Sequence, residues 1–447
     1  MILHYETALL PGGWARNVAV EVVAGRIASV CTGVLGGKAG CLLAAPVNLH
    51  SHTFQRAMAG LTERRGPGQD SFWTWRDLMY RFLDRLTPDD VQAIAAMVMM
   101  EMAEAGYAAV CEFHYLHHGV GGEVYDDLAE MSGRIFAASV ETGLGLTHLP
   151  VLYARGGCDG RALTAGQLRF GNDVERFVAL HAAAAKGMAG LPADCGMGVA
   201  PHSLRAVSVE GLAVCAGLPG PVHVHVAEQV GEVAEVQAAY GARPVEWLLG
   251  NAPVDGRWCL IHATQMVPAE TKALAASGAV AGVCPITEAN LGDGIFDGVR
   301  FVGAGGRFGV GSDSNVRISL SEELRGLEYS QRLAGRGRAM LADAQRSTGR
   351  VLWDGVCAGG AQAAGRDAGA IAVGRWADLV VLDTSGPDMA EAVGDTLLDT
   401  FIFAGDDRMV TDLWSAGRHL VSGGRHYARD GVVARYRQAM ARLRAGL

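Results

Sequence analysis

The chain has 447 residues, 50% of them apolar and 19% charged, a globular composition with ample material for a large core. A net charge of −9 with no Lys/Arg-rich run argues against nucleic acid as a partner, because neutralising phosphates takes a basic face. Nine dispersed cysteines without a C-x-x-C pair argue against a disulfide framework or thiolate zinc knot, and no apolar run reaches the ~18 residues of a membrane span, so a soluble, cytoplasmic protein with reduced thiols and no membrane partner is expected.

From Ile2 to Leu43 the pattern is short and β-like, with a run from Asn17 to Val23, a turn at Gly25-Arg26 and a second run from Ile27 to Val30. Similar material returns between Ala368 and Arg425. Neither end holds enough strands for a domain, so one small β-sandwich built from both termini is predicted, with a long α/β segment inserted between them. The apolar run 41–49 opens that segment. Helices are predicted over 89–106, 123–142, 173–186 and 230–240, alternating with strands over 107–113, 144–152, 195–200, 222–226, 259–262, 279–284 and 308–312. Eight such units predict a closed, TIM-like (β/α)8 barrel, and the chain exceeds a plain barrel of about 250 residues by enough for the extra domain. The expected division is 1–43 and 367–428 for the sandwich, 44–366 for the barrel and 429–447 for a C-terminal helix. Residues 56–86, with Trp73, Trp75 and Arg76, are long for a first strand-to-helix loop and read either as a substrate-covering lid or as a surface excursion.

Metal-type side chains stand where the apolar runs end: His50 and His52, His225, His262 and Asp313, with Glu228 just beyond His225. Residues two apart on a strand face the same side, so His50 and His52 can ligate one ion. A lone His-x-His is commonly incidental, but the later strand-end groups point to a shared centre with His50, His52, His225 and Asp313 as ligands. His223 remains a rival for His225. Glu228, three residues past the strand histidine, reaches a position for general acid/base work, with His262 and Asp313 as the other candidate catalytic groups. Nitrogen and carboxylate donors without cysteine suit one Zn2+ per chain, whose bound water has a pKa of ~7, although another divalent metal would also fit. The glycines include no G-x-G-x-x-G or G-x-x-x-x-G-K motif, which leaves nucleotide binding without support.

These histidines, Asp313 and the stretch Gly374-Arg375-Trp376-Ala377-Asp378-Leu379 resemble the amidohydrolase superfamily over nearly the whole chain. Its binuclear branch needs a carboxylated lysine on the fourth strand. Only Lys38, Lys186 and Lys272 exist, none at that position, so a single-metal site is favoured. The His225-x-x-Glu228 spacing is similar to the deaminase branch. Within that branch, Asn48–Ala57, Phe72–Arg76, Cys111–Tyr115, Pro201–Val207 and His223–Gln229 resemble the enzymes that hydrolyse the C=N bond of N-formimino-L-glutamate to N-formyl-L-glutamate and ammonia. By residue match the resemblance implies Gln55, Arg76, Tyr115, His202 and Arg205 as substrate contacts, and it implies a homodimer. Two arginines also suit a small dicarboxylate substrate on chemical grounds, since each guanidinium grips a carboxylate with two prongs. The alternative is a deaminase of guanine or another purine, or a triazine hydrolase, for which the arginines would have no anionic target. A non-catalytic relative of the same fold would be expected to lack ligands that this chain retains.

Overall fold

The computed structural model describes residues 1–63 and 72–445. Strands β1 (Ile2–Leu10), β2 (Gly13–Val23) and β3 (Arg26–Cys31) form an antiparallel meander. The β2–β3 turn falls at Ala24-Gly25, one residue earlier than predicted, and both residues have positive φ (48° and 80°), as a two-residue hairpin matched to the sheet twist requires.

The run 41–49 is not one strand. It divides at Ala45-Pro46 into β4 (Lys38–Ala44) and β5 (Val47–Ser51), which belong to different sheets. Proline has no N–H for a ladder, and here its carbonyl accepts from Ala108 while Ala45 N–H turns to the carbonyl of Asp378.

The inner strands are β5, β6 (Ala109–His114), β7 (Gly145–Leu152), β8 (Gly196–Met197), β9 (Ala200–Pro201), β10 (Val222–Val226), β11 (Trp258–His262), β12 (Val280–Val283) and β13 (Arg307–Val310). They pair in parallel as β5-β6-β7-β8, with β9 beside β7, and as β10-β11-β12-β13. Helices connect them, and nearly every strand residue is buried, which explains their continuous apolar runs. Isolated parallel bridges join the two sheets at both margins, Val199 to Val222 and Ser203 to His225 on one side, Ser51 to Asp313 on the other. The predicted strand 195–200 is reduced to the short β8 and β9. The predicted helix 123–142 begins only at Glu130, where the turn-rich segment before it ends.

Strands β14 (Leu379–Leu382), β15 (Val410–Ser415), β16 (Arg418–Ser422) and β17 (Arg425–His426) complete a second layer. Antiparallel pairing of β14 with β4 brings the two chain ends into one eight-stranded sheet, β17-β16-β15-β14-β4-β1-β2-β3. The C-terminal helix Arg429–Arg444 packs on the helix Pro88–Glu104, where Arg429 pairs with Glu104 and Arg442 with Asp90.

A buried ion network pins this sheet to the inner strands. Arg366 Nε donates to Asp378 Oδ2 at 2.6 Å and its Nη2 to Asp194 Oδ2 at 3.0 Å, while Arg418 Nη1 reaches Asp194 Oδ1 at 2.6 Å. Burial works against the Arg366 charge, but the two carboxylates outweigh it and raise its pKa. Replacing Arg366 with Met would strand Asp378 in the interior and leave Asp194 with Arg418 alone. The Arg366→Met variant is therefore expected to lose about 3–5 kcal/mol of stability in urea unfolding, and a loss below ~1 kcal/mol would show that water reaches the network.

Candidate metal centre and active site

The strand ends at one face of the inner sheets carry the polar residues. His50 is the penultimate residue of β5 and His52 follows the strand, His225 lies in β10, His262 ends β11, and Asp313 follows β13. All are buried. Ala227, His262, Ala263 and Asp313 have φ between 45° and 69°, a left-handed conformation that costs a non-glycine residue roughly 1–2 kcal/mol. Backbone bonds around them hold it in place: Ala263 N–H donates to Val226, Gln265 N–H to Ala227, and Asp313 N–H to His50.

The side chains converge. His225 Nε2 lies 3.1 Å from His50 Nε2, and Asp313 Oδ1 lies 3.3 Å from His50 Nε2 and 3.2 Å from His52 Nε2. The other ring nitrogens of two of these histidines face backbone carbonyls, His52 Nδ1 to Phe113 at 2.9 Å and His225 Nδ1 to His202 at 3.1 Å. A carbonyl only accepts, so Nδ1 carries the proton and the Nε2 lone pair points inward. Burial lowers the pKa of His50 to about 3, lowers that of His52, and drives that of His225 well down, which keeps all three neutral. Burial opposes ionisation of Asp313, but its hydrogen bond with His50 and the neighbouring imidazoles hold it below the usual carboxylate range.

This donor set fits a divalent ion. Ligand atoms about 2.0–2.1 Å from a tetrahedral ion are separated by roughly 3.4 Å, close to the spacings of 3.1, 3.2 and 3.3 Å seen here. The tightest group of four is His50, His225, His262 and Asp313, whose ligand atoms all lie within 4.8 Å of one another; His52 joins through Asp313. The structure separates the two β10 histidines, because His223 Nε2 is engaged with the carbonyl of Ala363 at 2.8 Å.

His262 is set apart by its acidic surroundings. Its Nδ1 is 3.2 Å from Glu288 Oε1, and its Nε2 is 3.8 Å from Glu228 Oε1 and 3.7 Å from Asp313 Oδ2. Burial opposes the imidazolium, yet Glu228, Glu288 and Asp313 together raise its pKa well above the usual value. Burial also pushes Glu228 up to about 7, with Glu232 and Asp313 adding to the rise and His262 and Arg205 opposing it. Glu228 is held by its backbone: Glu232 accepts from the N–H groups of Ala227 and Glu228 at 3.1 and 3.0 Å, and Thr264 Oγ1 donates to the Glu228 carbonyl at 2.8 Å.

These groups open onto a cleft. Gln55, Arg76, Tyr115, His202 and Arg205 all line it, as do Glu228, His262 and Asp313. Gln55 Nε2 donates to Tyr115 Oη at 2.6 Å, and the His202 ring packs edge-on against Tyr153 at 4.5 Å. Burial works against the Arg205 charge, but Glu232 and Glu228 raise its pKa. The helix Phe72–Leu83 covers the cleft with Trp75, Arg76, Met79 and Tyr80, and the Arg76 guanidinium sits 5.6 Å from the Tyr80 ring centre. That spacing places all four on one helix face. Residues 64–71 and the side chain of Trp73 lie outside the described residues; of the segment 56–86, read either as a lid or as a surface excursion, this helix lines the cleft.

Several working residues escaped the sequence reading. Glu288 and Glu232 orient His262 and the Glu228 backbone from within helices, Pro285–Leu291 and Val230–Tyr240, where acidic residues carry no distinguishing pattern. Tyr153, Phe170 and Leu291 complete the cleft wall.

Comparison with known proteins agrees with this geometry. Residues 41–420 match the amidohydrolase family model, and residues 1–40 match that of the N-terminal domain of formimidoylglutamate deiminase HutF. A formimidoylglutamate deiminase from Pseudomonas aeruginosa is 49% identical, with 98% of each chain covered. The crystal structure of an amidohydrolase from Brucella melitensis superposes with a TM-score of 0.96 at 48% identity, covering 99% of this chain and 100% of that one. A zinc-bound adenosine deaminase from Xanthomonas campestris shares the fold, with a TM-score of 0.82 at 20% identity over 99% of this chain and 98% of its own.

The two β10 histidines make a paired test. His225→Ala should lose most bound metal in elemental analysis of purified protein, whereas His223→Ala should retain it. The reverse result would move the centre away from His225 Nε2.

Proposed function

The chain belongs to the amidohydrolase family, and from that premise we propose that it hydrolyses N-formimino-L-glutamate to N-formyl-L-glutamate and ammonia in histidine degradation. It is a hydrolase acting on a C–N bond. The observation that carries the substrate choice is that Arg76 and Arg205 line the same cleft as the His/Asp cluster, two guanidinium groups for two carboxylates. A purine or triazine offers no carboxylate for either guanidinium to grip.

In this reading His50, His52, His225 and Asp313 hold one Zn2+ per chain, and another divalent ion would meet the same donors. Lys38, Lys186 and Lys272 are all exposed, in keeping with a mononuclear centre. An ion held there would lower the pKa of water and so make hydroxide available at neutral pH. Arg205 and Arg76 grip the substrate carboxylates, with Gln55, Tyr115 and His202 completing the contacts. Oxygen of water adds to the formimino carbon. Glu228 takes up the first water proton and passes it to the formimino nitrogen, and the His262 imidazolium offsets the charge that develops. Asp313 accepts the second proton from the added oxygen, and Glu228 relays it to the nitrogen as the C–N bond breaks, so ammonia leaves and the formyl carbonyl remains. A carboxyl near pH 7 is suited to both halves of that transfer.

The same reading takes the two bridged parallel sheets as one closed (β/α)8 barrel over residues 44–366, with the centre at the C-terminal ends of its strands. The sheet of both termini is the small β-sandwich domain of residues 1–43 and 367–428, followed by the C-terminal helix. No helix among the described residues is long and apolar enough to cross a membrane, and a cytoplasmic enzyme, assembled as a homodimer, fits this role.

Ammonia release with N-formimino-L-glutamate, measured beside guanine and cytosine, is the direct test; faster turnover of either base would overturn the assignment. Glu228→Gln should keep the metal but lose about 100-fold to 10,000-fold in turnover, and wild-type turnover would move the proton transfer to another group. Arg205→Lys should already impair kcat/KM, because an ammonium lacks the planar two-pronged contact, and Arg205→Met should cost about 2–5 kcal/mol. Formimino compounds lacking the carboxylate should be poor substrates for the wild type and little changed by either variant. Equal losses on both substrate types would make Arg205 structural.

A further inference from the structure

His50 and His52 come from the β5 end and Asp313 from the β13 end, yet these strands share only the isolated bridge at Ser51 and Asp313. Two backbone bonds cross there, His52 N–H to the Asp313 carbonyl and Asp313 N–H to the His50 carbonyl, both 2.9 Å. A single bridge leaves the strand ends free to shear, and a shift of a few tenths of an ångström would spoil ligand spacings of 3.2 and 3.3 Å.

Fully buried side chains reinforce this seam. Asn48 Nδ2 donates to Ser312 Oγ at 2.6 Å and its Oδ1 accepts from Ser312 N–H at 3.1 Å. Ser312 Oγ donates to Asn315 Oδ1 at 2.6 Å. Asn315 Nδ2 then spans the gap, donating to Ser51 Oγ at 3.1 Å and to the Asp313 carbonyl at 3.0 Å. The Asp313 carbonyl is the same one that receives His52 N–H, so a single carboxamide touches the backbone of one ligand and the strand that carries the other two. Asn315 adopts φ +56°, which asparagine tolerates better than most residues, and it is not part of the cleft wall.

We propose that Asn315 is a positioning residue of the metal centre, its carboxamide clamping the β5–β13 seam and thereby setting the distance of Asp313 from His50 and His52. The inference rests on the metal-centre reading above. Groups that orient ligands from behind typically account for ~10-fold to 100-fold in metal affinity. A polar clamp of this kind has high stakes, because an unmade bond here is a buried unmade bond.

The left-handed backbone supplies a clean test. Asn315→Gly deletes the carboxamide at a φ that glycine adopts freely, so the change isolates the clamp from backbone strain. Zinc affinity of the full-length protein, measured by competition with a chromophoric chelator, should fall about 10-fold to 100-fold in Asn315→Gly. Ser312→Ala, which removes the bond to Asn315 Oδ1 together with the one that Ser312 Oγ accepts from Asn48 Nδ2, should shift affinity in the same direction and carries the test if the glycine variant does not fold. Phe401→Leu, in the buried helix Thr396–Phe403, lowers melting temperature without touching the seam and should leave zinc affinity unchanged. Wild-type affinity in Asn315→Gly, or an affinity loss in Phe401→Leu matching it at equal loss of melting temperature, would overturn the clamp. Failure of the wild type itself to bind zinc would overturn the metal-centre reading, and the clamp with it.

Discussion

Burial of ionisable groups governs this structure. Four imidazoles and the carboxylates of Glu228, Glu288 and Asp313 are packed where water is scarce, and each would be costly there alone. The arrangement resolves the cost in two ways. His52 and His225 turn their proton-bearing nitrogens to backbone carbonyls and their lone pairs inward. His262 instead keeps its charge by sitting among three carboxylates. One kind of side chain is thus held neutral at one position and charged at another, and the difference is made by neighbours.

That arrangement demands a stiff frame. Left-handed residues at Ala227, His262, Ala263 and Asp313 mark where each strand is bent to aim a side chain, and the backbone bonds around them absorb the strain. Reactive groups come from strand ends, whereas the cleft roof comes from the helix Phe72–Leu83. The division separates groups held on strand ends from the helix that lines the cleft above them. Far from the cleft, Arg366 performs a related task for the terminal sheet, trading the desolvation of one cation against two aspartates.

Much of this was legible beforehand. The strand β10 was predicted over 222–226 and occurs there, β11 over 259–262 and occurs at Trp258–His262, because short apolar runs bounded by turns are what buried strands must look like. Strand periodicity put His50 and His52 on one side, and the apolar runs placed His225, His262 and Asp313 at strand ends. Proline was under-read: Pro46 splits 41–49 between two sheets, a break that hydrophobicity alone conceals.

The sequence by itself determined the alternation of strands and helices, the joining of the termini in one sheet, the metal-type donors and the two arginines of the cleft, since each depends on local periodicity or on residue chemistry. Tertiary structure alone decided which β10 histidine faces the centre, because His223 and His225 share a strand face and differ only in depth along it. It alone brought in Glu288, Glu232 and Asn315, whose roles depend on contacts with groups that in most cases lie far away in the chain. Distances between such groups are set by how sheets and helices pack, and no spacing within a single element encodes them.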